Sequence, residues 1–244
     1  MTVTHAAPPR YTPTQFEAAV LALRPTTAVF DCDGTLWSGD SGYGFMVWSI
    51  EAGLVSRNAS DWIDSRYRLY LNNQVSETDM CGEMVQLYAG LQESELRHAA
   101  ADYFRSHVEA HIFPEVRALI EKLKAQGADI WAVSSTNNWV IEEGIRRFDI
   151  PASRVLAAEV KVVDGRITSD LIDVPSGDGK SAALKHAGVD RPDAVFGNSI
   201  HDAAMLRIAK RAFPVNPTPG LLEIAADYGW SVFYPGSVLT DSKH

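Results

Sequence analysis

The apolar positions of this chain keep two rhythms, and the changes from one to the other outline its elements. Thr27-Ala28-Val29-Phe30 is a short, continuous β-prone run, the pattern of a strand buried on both faces. From about Gly42 to Ile112 the rhythm becomes helical: Phe45, Trp48 and Ile50, then Trp62, Ile63, Tyr67 and Tyr70, then Met84, Val85, Leu87 and Tyr88, then Leu96, Ala99, Tyr103 and Phe104. That segment holds no proline, and Gly53, Asn72-Asn73 and Gly90 mark its joints. Pro114 opens the next helix, with Val116, Leu119, Ile120 and Leu123 on one face and Gly127 at its C′ position. Beyond it the pattern predicts a strand over Asp129–Val133, a helix over Trp139–Phe148 and a strand over Val155–Val160. Asp164-Gly165 is a hairpin signal, and a helix then carries Lys180 and Leu184. Strands follow at Ala194–Gly197, Ala212–Val215 and Trp230–Phe233. At the amino end Met1–Pro13, with three prolines, reads as a loose arm, and Thr14 as the N-cap of a helix over Gln15–Leu23.

Strands that alternate with helices predict an α/β fold with a doubly wound parallel sheet. The helical stretch after the first strand predicts a small helical domain at residues 39–112, inserted into a core formed by 1–38 and 113–244. A chain of 244 residues, 46% of them hydrophobic, has length and apolar content for both. The net charge is −9, from 22 Lys and Arg against 31 Asp and Glu, and no basic cluster offsets it. That balance argues against a general nucleic-acid binder and against a membrane-surface protein. The opening MTVTHAAPPR has no apolar h-region and no run is long enough to span a bilayer, so the expected location is cytoplasmic. Two cysteines, Cys32 and Cys81, form no framework and have no metal-type spacing.

The first strand ends in two carboxylates one residue apart, Asp31 and Asp33, followed by Gly34 and Thr35. A strand places residues i and i+2 on one side, and Gly34 permits a turn that brings both acids over the carboxyl edge of the sheet. Two acids there cost free energy unless a cation compensates them or one is protonated. A hard metal such as Mg2+ and an acid/base pair both meet that need. Ligands of doubly wound sheets sit beyond the strand ends, where Ser134, Lys180, Asn198 and Asp202 also fall. Each has a plain alternative: an Asp-rich turn, an N-cap serine, a solvated lysine, a helix-dipole acid. Those alternatives do not explain why the positions together supply the complementary parts of one reaction.

Asp31-x-Asp33-Gly34-Thr35-Leu36, a serine after an apolar strand, a lysine, and Gly197-Asn198-x-x-x-Asp202 resemble the four ordered motifs of the haloacid dehalogenase (HAD) superfamily. The helical insert resembles the C1 cap of its phosphoserine-phosphatase-like branch. The resemblance implies a Mg2+-dependent phosphomonoester phosphatase with Asp31 as nucleophile and Asp33 as general acid, then base. It implies that Ser134, Lys180 and backbone amides near Gly34 and Ser135 hold the phosphoryl oxygens. Mg2+ would be held by Asp31, the Asp33 carbonyl, Asn198 and Asp202. Asn198 departs from the family, which usually has an aspartate there; an amide oxygen still ligates Mg2+.

The expected partner is a small phosphorylated metabolite. Halide displacement has no use for Asp33 as a leaving-group acid. A phosphonate hydrolase would want a cap lysine, and the segment from Gly42 to Ile112 has none. A non-enzymatic binding module is the alternative of a different class. Asp40, nine residues after Asp31, stands where phosphoserine-phosphatase-like proteins carry an acid for the substrate ammonium, or is a hinge residue. Arg57, Arg66 and Arg68 are candidates for a substrate carboxylate, and the insert's aromatics for a quaternary ammonium such as choline. Substrate identity and oligomeric state stay open at this level.

Overall fold

The first strand needs no helix-breaking signal to stay extended: its Ala28, Val29 and Phe30 are all buried, so packing on both faces decides its conformation. In the computed structural model, which describes residues 7–241, the elements follow in chain order. They begin with α1 (Pro13–Leu21), β1 (Thr27–Phe30), α2 (Ser41–Glu51), α3 (Arg57–Leu71), α4 (Glu77–Gln86), α5 (Glu93–Tyr103) and α6 (Pro114–Ala125). Next come β2 (Asp129–Asn137), α7 (Asn138–Ile145), β3 (Val155–Val163), β4 (Arg166–Asp173) and α8 (Asp178–His186). The chain closes with β5 (Ala194–Gly197), α9 (Ala203–Ile208), β6 (Arg211–Pro214), α10 (Pro219–Tyr228) and α11 (Gly236–Asp241).

The chain divides into two compact units. The first takes the chain up to Gly39, His111–Val133, and the chain from Gly177 on; the second takes Asp40–Ala110 and Ser134–Ser176. Four parallel strands run through the first unit in the order β2-β1-β5-β6. The register sets Phe30 against Ala132 on one side and against Phe196 on the other. The chain winds to β2 on one side of β1 and later to β5 and β6 on the other. The reversal therefore falls at the carboxyl end of β1, where open α/β sheets bind their ligands. Phe30 stacks on Phe196 at 4.1 Å, and Phe16 of α1 stacks on Phe233 at 4.1 Å. Burying each such ring contributes about 1.5–3 kcal/mol.

The second unit contains α2–α5, α7 and the β3–β4 hairpin. Asp164 and Gly165 both take positive φ, 50° and 77°, which closes the two-residue turn between Val163 and Arg166.

Three expectations are corrected at the termini. Helix α1 starts at Pro13, with Thr12 as N-cap in a reciprocal box with Gln15, because proline is preset for the first helical turn. The expected loose arm lies outside the described residues for 1–6, but Pro9 and Tyr11 pair with Val232 through two 2.8 Å backbone hydrogen bonds. Trp230–Phe233 forms isolated bridges at Val232 and Phe233, to Arg10 and Val215, in place of a strand. Gly229 in the left-handed region and Pro235 leave it no length to extend.

Candidate active site

Past Phe30 the chain keeps one more sheet hydrogen bond, from Asp31 N–H to the Phe196 carbonyl at 2.9 Å, and then folds over. The Cys32 carbonyl accepts from Leu36 N–H at 2.7 Å, and Gly34 N–H donates to the Trp37 carbonyl at 2.8 Å. Gly34 carries the turn at φ 77°, as the sequence predicts. The turn pairs side chains four residues apart. The Thr35 hydroxyl donates to Asp31 Oδ2 at 2.8 Å, and the Trp37 indole N–H donates to Asp33 Oδ1 at 2.7 Å. Cys32, between the two acids, points into the core and is fully buried. Burial and its two carboxylate neighbours push its thiol well above the ordinary range, which excludes it as a nucleophile.

Lys180 enters from the first turn of α8 and is 2% exposed. Its ammonium donates to Asp31 Oδ1 at 2.7 Å, to Asp202 Oδ1 at 2.6 Å and to the Val133 carbonyl at 3.4 Å. Asp202 is wholly buried, and its other oxygen accepts from the Asn198 and Ser199 amides at 2.8 and 2.9 Å. Gly197 is required here, since a Cβ would lie 2.6 Å from that of Asp202. Two carboxylates thus share one ammonium in a buried site, so a further cation or a proton on one acid balances the pair. Burial raises the Asp31 carboxyl above its ordinary range and the charge of Asp202 adds to this; Lys180 and Thr35 oppose it. For Lys180 burial acts downward, but the two carboxylates outweigh it and hold the ammonium protonated.

Of the residues singled out in the sequence, Asp31, Asp33, Gly34, Lys180, Asn198 and Asp202 all belong to the first unit. Asn198 lies against the turn: a Cβ at residue 34 would meet its amide nitrogen at 1.8 Å. The Asn216 amide, itself at φ 47°, donates to the Gly34 carbonyl at 3.3 Å. Thr35, Trp37 and Asn216 were not anticipated; the i, i+4 spacing of Thr35 and Trp37 from the two acids was the signal for two of them. Ser134, Ser135 and Asp40 belong to the second unit. Ser134 is buried, and its Oγ accepts from the Thr136 amide at 3.1 Å, while Asn137 is the N-cap of α7. Ser135 donates to Glu77 Oε1 at 3.2 Å. Asp40 caps α2 by accepting from Tyr43 N–H at 2.9 Å. Arg66 places its fork on Glu83 at 2.7 and 2.6 Å, while Arg57 and Arg68 are exposed.

The donor set suits a divalent cation. Two acids, Asp31 and Asp202, face a single ammonium, with a neutral amide at Asn198 as a further oxygen source. Among the described residues no three His, Cys, Asp or Glu side chains are grouped to hold a metal.

A buried carboxylate–lysine–carboxylate array thus stands at the winding reversal of a parallel sheet, where α/β proteins bind their ligands. The chain belongs to the haloacid dehalogenase-like hydrolases, whose family model matches residues 28–207. It is 26% identical over 216 residues to a histidinol-phosphatase of Neisseria meningitidis serogroup C (strain 8013), spanning 84% of this chain and 96% of that protein. A crystal structure of a Bordetella pertussis Tohama I protein of unknown function superposes with TM-score 0.76 at 23% identity, over 85% of this chain and 97% of that one. A substrate-bound phosphoserine phosphatase superposes with TM-score 0.56 at 16% identity, over 85% and 92%. The two structures speak for the fold. Family and relative together make this protein a phosphoric monoester hydrolase.

Proposed function

We propose that the protein is a Mg2+-dependent phosphatase of small cytoplasmic metabolites that works through an aspartyl-phosphate on Asp31. The observation that carries this reading is the buried array in which Lys180 joins Asp31 to Asp202 at 2.7 and 2.6 Å. Such an array orients the Asp31 carboxylate and puts a fixed positive charge beside it before substrate arrives. Asp31 attacks phosphorus, forming one P–O bond as the ester P–O bond breaks. Asp33, oriented by the Trp37 indole, gives its proton to the departing alkoxide. It then takes a proton from the water that attacks phosphorus, which releases phosphate and restores Asp31. Lys180, the Ser134 hydroxyl and the backbone amides at Gly34 and Ser135 are the proposed donors to the phosphoryl oxygens. Asp31, the Asp33 carbonyl, Asn198 and Asp202 are the proposed holders of Mg2+, which when bound supplies Lewis-acid stabilisation of the phosphoryl charge. The helices of residues 39–112 serve as the family's cap.

An amino-bearing phosphate is the substrate class this reading favours. Histidinol phosphate, the substrate named for the Neisseria relative, carries an amine, and Asp40 supplies an acid at the cap boundary. The test is hydrolysis of phosphomonoesters with and without Mg2+ by the wild type, Asp31→Asn and Asp33→Asn. Asp31→Asn abolishes turnover in a folded protein, because an amide is too poor a nucleophile. Asp33→Asn recovers in part with an aryl phosphate whose leaving group needs no proton. Wild-type rates in both variants would refute the mechanism.

A further inference from the structure

Within the second unit the end of β2 and the segment after β4 converge on one carboxylate. Glu77, in the first turn of α4, accepts the Ser135 hydroxyl on Oε1 at 3.2 Å and the Ser176 hydroxyl on Oε2 at 2.8 Å. Ser176 is buried, and Ser135 directly follows Ser134. An acid in a first helical turn is favoured by the helix dipole alone. That preference does not call for hydroxyls from two separate segments, one on each oxygen, which fix the direction of the carboxylate in advance. The same unit carries a run of aromatic rings: Tyr43 and Tyr67 stack at 4.5 Å, and the Tyr67 and Tyr70 centroids are 5.8 Å apart. Burial first, and then the charge of Glu77, push the Tyr70 hydroxyl up to about 12.

We propose that Glu77 is a specificity-determining residue that receives the cationic amine of the phosphomonoester. The proposal rests on the reading above, in which Ser134 and the Ser135 amide take the phosphoryl oxygens. A carboxylate bonded to the Ser135 hydroxyl repels a phosphoryl group at that same residue. A substrate that carries its own ammonium turns the repulsion into attraction; a neutral ester cannot. The site therefore rejects as well as selects.

The decisive comparison is kcat/KM for O-phosphoethanolamine against 2-hydroxyethyl phosphate, which replaces the ammonium by a hydroxyl. The wild type favours the amine ester. In Glu77→Gln that preference falls roughly 10- to 100-fold, and part of the fall comes from faster hydrolysis of the neutral ester as the repulsion is lifted. Ser176→Ala keeps the charge but loosens it, and gives a smaller fall with an unchanged melting temperature. Equal loss on both esters in Glu77→Gln overturns the proposal. So does a wild type that shows no preference, a result that needs no variant. A wild type that hydrolyses neither ester, nor any aryl phosphate, overturns the phosphatase reading itself and the role of Glu77 with it.

Discussion

Among the described residues, the most buried charges of the first unit have no equal in the ion pairs of the second. In the first, Asp31, Lys180 and Asp202 are buried and bonded to one another, so each depends on the other two. In the second, the ion pairs lie towards solvent: Arg66–Glu83 is 30% and 18% exposed, and Arg97–Glu93 is 37% and 26% exposed. Helix α3 of that unit buries only Ile63 and leaves Trp62, Leu69 and Leu71 exposed. Buried charge is cooperative and intolerant, which suits groups that must be in place before reaction. Exposed pairs are screened and individually weak, which suits a surface free to vary with its substrate.

The contrast breaks most visibly at Lys180. Lys180→Met leaves two buried carboxylates without their cation, and is expected to cost about 3–5 kcal/mol, seen as a lower urea midpoint. A loss below about 1 kcal/mol would mean that water reaches the array. Asp193, at the base of β1, tests a half-way case. Burial pushes its carboxyl up, but the Lys210 ammonium and the Thr26 and Thr27 donors outweigh it and hold the group well below the ordinary carboxylate range. A depressed carboxyl stabilises the fold above its unfolded value near 3.9, and that stability is lost as pH falls through the folded value. Lys210 is largely solvent-exposed, so its share is screened. Asp193→Asn is therefore expected to cost about 1–2 kcal/mol at pH 7 and progressively less below about pH 4, by denaturation at several pH values. A difference independent of pH would remove the charge from the explanation.

At Asn198 the expected effect is smaller. Asn198→Asp adds a charge beside the proposed cation, but desolvation and repulsion from Asp31 offset most of it. The Mg2+ concentration for half-maximal activity falls a few-fold, and an unchanged or higher value would take the side chain of Asn198 out of the metal shell. The smallest effect belongs to the second unit's surface. Leu71→Gln, at a position 64% exposed, changes stability by less than about 0.5 kcal/mol in the same urea assay. A larger change would show that α3 packs against something in solution.

How much was legible in the sequence followed how local the cause was. The β1 run, the α6 face and the Asp164-Gly165 turn are set by neighbouring residues, and each formed where it was read. The positions Asp31, Lys180 and Asp202 were legible as motif members, but nothing local told that one ammonium would bond both acids. The start of α1 was missed because Pro13 was read as the end of an arm rather than as the first helical residue. Trp230–Phe233 was read as a strand on β propensity alone, while its ladder length is decided by residues far away in sequence. The hydroxyl on Asp31 and the indole on Asp33 depend on a turn whose shape only the fold specifies.

Gly34 answers two demands at once. Its positive φ alone would admit an asparagine, which tolerates the left-handed region. A Cβ there would also meet the Asn198 amide nitrogen at 1.8 Å, so a side chain at 34 obliges that amide to turn aside. Positions 34 and 198 are therefore coupled, and a single-residue library across this turn is expected to favour glycine at 34. A shorter side chain at 198 would remove that contact and leave only the left-handed φ for a new residue at 34 to meet.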